Sequence, residues 1–179
     1  MPVTVARDHR RDRITLSCTV LVPLFLGGAE QEAALSAAPF KAALRYWWRI
    51  SGLHQARNPQ QLFEKESALF GSANPECGRS LVEVEVEGNP KGIQEPFTDL
   101  KTVGQGKTNV PALLYLANLG LLKRSRDKHS LEALRQYFQT GEAFKVHFTM
   151  AAEAMRQTSA ALNLFQQFGG MGGRSRNAW

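Results

Sequence analysis

The segment Gly169-Gly170-Met171-Gly172-Gly173-Arg174-Ser175-Arg176 sets four glycines among five residues directly ahead of two arginines. Glycine loses more backbone freedom on folding than any other residue, so such a run is kept where the chain must approach something closely or adopt positive φ. Successive backbone N–H groups in a loop of this kind form a nest for a phosphate, while Arg174 and Arg176 add charge and fork-shaped donors. The apolar run before the loop reads as a helix, whose negative end faces the glycines. An anion is therefore held by the loop and its arginines, without help from the helix dipole. The competing reading is a helix C-cap followed by a frayed chain end.

A second constellation lies far away in sequence. Lys41, Arg45 and Arg49 recur every fourth residue and line up as a basic ridge on a helix, with Trp48 bordering it. Cations so spaced track phosphates, and an aromatic ring stacks on a base whatever its identity, which suits single-stranded nucleic acid. The competing reading is a solvated helix face. Residues 33–63 and 154–179 contain no acid at all, although exposed helices ordinarily intersperse carboxylates to make four-apart pairs. Two acid-free basic stretches are expected to converge on one polyanion, and a formal net charge of +6 agrees with that.

Other signals carry less. Gly104-Gln105-Gly106-Lys107-Thr108 imitates the end of a phosphate-binding P-loop, but Lys101 stands where its first glycine belongs, which argues against an ATPase. His9, His54, His129 and His147 are scattered, so neither a metal nor a cofactor is expected. His54 or His147 could serve as base on a ribose hydroxyl, but no second acid or base is identifiable from spacing. A lone loop aspartate, Asp99, has the chemistry to bind magnesium beside RNA, yet by itself marks no site. Only Cys18 and Cys77 are present, which fits a reducing compartment. No apolar run reaches the roughly 18–20 residues of a membrane span, and the first residues lack an apolar signal core, so a cytoplasmic protein is expected.

The elements that must position these groups follow from periodicity. Alternation predicts strands over Arg13–Val22, Ser80–Gly88 and Phe144–Met150, the second with an acidic face of Glu83, Glu85 and Glu87. Helices are predicted over Pro39–Leu53, Pro59–Phe70 and Ala151–Phe168. The first would pack through Phe40, Ala43, Leu44, Trp47 and Ile50. The 179 residues suit one domain, with an insertion over about 89–142 that includes a short helix near Ser130–Phe138. Strand, helix, strand, insertion, strand, helix is an α+β, ferredoxin-like (RRM-like) split βαβ unit lacking its final strand.

Four motifs occur in one order along nearly the whole chain: Pro23-Leu24-Phe25-Leu26-Gly27-Gly28, the run Phe40–Arg49, Leu69-Phe70-Gly71-Ser72, and Phe168 followed by the glycine loop over 169–176. Together they resemble the RAMP superfamily of CRISPR-associated proteins, in particular the subunit of the type III-B Cmr complex that sits near the 3′ end of the guide RNA. The resemblance implies a non-catalytic RNA-binding subunit of an antiviral effector ribonucleoprotein, with guide RNA, target RNA and other effector subunits as partners. It implies RNA contacts at Gly27, Gly28, Lys41, Arg45, Trp48, Arg49, Gly169, Gly170, Gly172, Gly173, Arg174, Ser175 and Arg176. Relatives continue through a final strand into a second domain, so that strand is expected from elsewhere, supplied in trans if need be. A metal-independent guide-processing endoribonuclease and a protein-only scaffold stand as alternatives.

Overall fold

In a computed structural model of the chain, residues 11–72, 78–98, 100–103, 110–117, 120–126 and 129–172 are described. Asp99, residues 104–108, Gly173, Arg174, Ser175 and Arg176 lie outside them.

Period-two alternation builds the central sheet. Strands β1 (Arg11–Thr19), β2 (Glu83–Glu87) and β9 (Ala143–Ala151) pair antiparallel in the order β1-β9-β2. The register sets Ile14 opposite Phe148, Leu16 opposite Val146 and Cys18 opposite Phe144, with Val84 and Val86 completing the same rows from β2. All these side chains fall on one face because strand neighbours alternate sides. Helices α1 (Ala37–Gly52) and α4 (Ala152–Phe168) cover that face and pack on each other. The opposite face carries ion pairs instead, Arg11 with Glu83 at 2.8 Å, Arg13 with Glu85 at 3.0 Å and Lys145 with Glu87 at 3.1 Å. Among the described residues no strand pairs with the outer edge of β1. The arrangement is the α+β, ferredoxin-like one anticipated from the sequence.

Helix α2 (Pro59–Phe70) starts as its sequence dictates. Proline stands at its first position, and the Asn58 side chain accepts from the Gln61 N–H at 2.8 Å. The Gln61 side chain in turn accepts from the N–H of Arg57, the residue ahead of the cap, at 2.8 Å. A 3-10 turn, Leu53–Gln55, links α1 toward α2.

The excursion between β2 and β9 holds β3 (Gly92–Ile93), β4 (Thr102–Val103), β5 (Val110–Pro111), α3 (Ala112–Ala117), β6 (Leu122–Arg124), β7 (Leu131–Ala133) and β8 (Tyr137–Phe138). The helix expected near Ser130–Phe138 is therefore two short strands. Leu131 and Ala133 turn inward on β7 into a second core with Phe25, Leu122 and Tyr137. Leu131 exchanges both backbone hydrogen bonds with Phe97, at 2.8 and 2.9 Å, and Phe138 does the same with Leu24 at 3.0 Å. These long-range pairings satisfy backbone groups that a short isolated helix would leave to water at its ends. The first strand likewise differs from expectation. It closes at Thr19, and Leu21 and Val22 beyond it are 76% and 43% exposed.

Candidate nucleic-acid interface

Helix α1 divides into three columns. Phe40, Leu44 and Trp48 are buried, and residues four apart share a face. Trp48, only 8% exposed, packs edge-on against Phe70 of α2 with centroids 6.0 Å apart. That corrects its expected role: a ring sealed between α1 and α2 offers no face to a base. Ile50, expected in the core, is 44% exposed. The reason is α2, whose Phe70 draws the second tryptophan of the pair inward and so rolls the apolar stripe round the helix.

The ridge of Lys41, Arg45 and Arg49 forms the next column, but it is not free of acid. Glu66 of α2, 3% exposed, sits against it. Arg45 donates from Nε to Glu66 Oε1 at 2.8 Å, with its Nη2 at 2.6 Å. Arg49 donates from Nε to Oε2 at 2.5 Å and from Nη2 to Oε1 at 2.7 Å, a bidentate fork. Burial pushes the Glu66 carboxyl up, but hydrogen bonds from Arg49 and Arg45, with their charges, outweigh it and hold the carboxyl below its ordinary value. The hydrogen bond to Glu66 raises the Arg49 guanidinium in turn. Lys41 is lowered, by burial first and then by the charge of Arg45. Two arginines thus share one carboxylate, with Lys41 next to Arg45 on the same column, and the arginines stay a third to a half exposed. The ridge carries more positive than negative charge, and the charge of Arg45 disfavours the charged form of Lys41.

The glycine loop docks on the remaining flank of α1. Pro39, Ala42, Tyr46 and Trp47 face Phe168, Gly170, Met171 and Gly172 across a cleft of about 450 Å³. Among the described residues no charged side chain lines it. Tyr46 and Phe168 are 49% and 48% exposed. Trp47 meets Tyr46 at 5.4 Å edge-on and Phe168 at 6.4 Å, tilted by 40°. Two glycines are required here. Gly172 has φ +99°, and a Cβ there would lie 2.7 Å from Leu24 Cδ1. A Cβ on Gly169 would lie 2.2 Å from Phe165 Cδ2 and 2.3 Å from the Phe165 carbonyl oxygen.

Gly170 and Gly172 reach α1 on the column of Ala42 and Tyr46, one residue round the helix from the ridge, while the loop's cations, Arg174 and Arg176, lie outside the described residues. Gly27 closes against the Glu32 carbonyl and bridges to Ala33, whereas Gly28 faces open space. Sequence reasoning missed Glu66, Tyr46 and Phe168. For the two rings a signal existed: Tyr46 shares the ridge's helix and Phe168 immediately precedes the glycines. For Glu66 none did.

The histidines are placed elsewhere. His147, 6% exposed, lies on the ion-paired sheet face, its Nδ1 at 2.8 Å from Thr15 Oγ1 and its Nε2 at 3.0 Å from Glu87 Oε2. Both ring nitrogens are engaged, so neither is open to a ribose hydroxyl. His54 is exposed on the 3-10 turn. Among the described residues no three His, Cys, Asp or Glu side chains are grouped to hold a metal, and no helix is long and apolar enough to cross a membrane.

Residues 17–177 match the RAMP superfamily. The fold is similar to the crystal structure of Cmr1 from Pyrococcus furiosus in its apo form, with a TM-score of 0.55 and 18% sequence identity. The likeness covers 92% of this chain and 46% of Cmr1, so the chain spans about half the length of that structure. No curated protein matches the sequence.

Proposed function

The chain belongs to the RAMP superfamily, and from that premise we propose that it is a non-catalytic RNA-binding subunit of a type III CRISPR effector ribonucleoprotein, holding the backbone of guide RNA or of the guide–target duplex near the guide 3′ end. Its partners are guide RNA, target RNA and the other effector subunits, and its role is antiviral defence. The observation that carries this reading is the surplus of cations on α1, where Arg45 and Arg49 share Glu66 and Lys41 stands beside Arg45, next to a cleft closed by the glycine loop.

The arginines keep donors beyond those given to Glu66, since a guanidinium has five N–H groups in a fixed fork. Phosphate oxygens accept from these donors and relieve the repulsion on Lys41. Contacts of this kind position a strand and read no sequence. Both His147 nitrogens are engaged on the sheet face, which leaves the exposed His54 as the base a cleavage reading would need; on the binding reading, labelled repeat RNA incubated with the chain in chelator should stay intact.

The test is the salt dependence of single-stranded RNA binding. Each lost phosphate contact lowers the slope of log K against log salt by about 0.7 for a single strand. Lys41→Gln should weaken binding and flatten the slope by about that amount. Unchanged affinity and slope remove the ridge from the site, and no salt-sensitive RNA binding by the unmodified chain sinks the reading.

A further inference from the structure

Resting on the RNA-binding reading, we propose that the cleft between α1 and the glycine loop is a nucleobase subsite, in which Tyr46, Trp47 and Phe168 receive an unstacked base while its phosphates lie on the ridge. Three observations lead there. The cleft holds about 450 Å³ and, among the described residues, no charged side chain, so a phosphate inside it would be desolvated without a counter-charge from them. Its volume falls in the range of sites that take small organic groups, roughly 300–1,000 Å³. Three aromatic rings meet there, two of them half exposed, and none stacks face to face with another. Ring faces left open in this way suit a planar heterocycle, because stacking on an aromatic side chain needs only a π-face and tolerates any base.

The ridge explains how a base would arrive. Lys41, Arg45 and Arg49 each precede, by one residue, a member of the column Ala42, Tyr46 and Ile50. Successive residues on a helix are turned by 100°, so the two columns are neighbours along its length. A strand whose phosphates follow the cations therefore runs along the lip of the aromatic cleft. On the far wall the positive φ of Gly172 seats the loop against Leu24, and among the described residues Phe168 and Met171 are the side chains that wall presents beside its glycines.

Paired oligonucleotides of equal length and charge test the subsite, one uridine-containing and one with abasic sugars, their binding measured by fluorescence anisotropy across a salt series. The expected result is tighter binding of the base-containing strand. Tyr46→Ala and Phe168→Ala should each weaken it by about 5- to 150-fold with the salt slope unchanged, and should leave the abasic strand's affinity as it was. Phe63→Ala, which removes an equally exposed ring on α2, should change neither. Equal affinity for the two strands overturns the subsite, as does an equal loss on both in the cleft variants, which would mark the rings as structural or as a seat for a neighbouring protein. In either case the Lys41→Gln slope still reports on the RNA reading. Binding of neither strand overturns both proposals.

Discussion

Glu66 decides what the arginines of α1 are able to do. A carboxylate 3% exposed cannot stand unpaired, and Arg45 and Arg49 supply its charge and its hydrogen bonds together. Glu66→Gln keeps the shape but leaves two guanidiniums crowded without their counter-charge. It should cost about 1–3 kcal/mol in urea unfolding at pH 7, at the low end for a broken buried pair because both arginines are partly solvated. The pH dependence has a fixed sign. The folded carboxyl titrates below its ordinary value of 4.5, so its contribution is whole above the unfolded titration and is lost as pH falls through the folded value. The gap between the unmodified chain and Glu66→Gln should therefore be widest near neutrality and close below pH 4.5. A gap that does not narrow as pH falls below 4.5 would mean that packing, not charge, carries it. Gly172→Ala should cost about 1–3 kcal/mol in the same assay, since φ +99° and the approach of Leu24 both exclude a Cβ.

Element pairing explains why the two faces of the sheet differ in worth. The covered face rests on buried contacts among α1, α4 and β9, with Phe40, Leu44, Val146, Phe148 and Met150 at 1% exposure or less. Leu44→Ala should cost about 2–5 kcal/mol, as lost transfer energy and a residual cavity add. The ion pairs of the other face join side chains about half exposed, so Arg13→Ala should change stability by less than about 1 kcal/mol. Strand β9 has partners on both sides and β1 on one. Amide hydrogen exchange should show β9 protected along its length and β1 protected on alternate residues only; uniform protection along β1 in the isolated chain would contradict this pairing.

Across the whole molecule, a formal +6 charge draws polyanions but assigns none of them to a surface. The fold does the assigning. Acids gather on β2, where Glu83, Glu85 and Glu87 pair with Arg11, Arg13, Lys145 and His147, so cations on the sheet face are consumed internally. The ridge of α1 keeps an excess. Charge and glycines come to adjoining flanks of one helix, a column of cations beside a cleft that no charged side chain lines among the described residues.

Local pattern was enough for much of this. Alternation over 13–18, 83–87 and 144–150, a proline at the start of α2 and the glycines after α4 are signals carried by near neighbours, and they determined the strands, the helices and their order. Period placed Trp47 in the apolar stripe of α1 and Trp48 beside the ridge, whereas the structure buries Trp48. Only Phe70, brought up by α2, decided for Trp48. Residues 130–138 have helical spacing, yet partners at Phe97 and Leu24, remote in sequence, made them strands. Glu66 read as one more charge on a short helix, and its burial under two arginines required α1 and α2 to pack first. Sequence determines what each segment favours by itself. Which faces become buried, and which charges are left over for a ligand, depends on contacts between distant residues and so belongs to the tertiary structure.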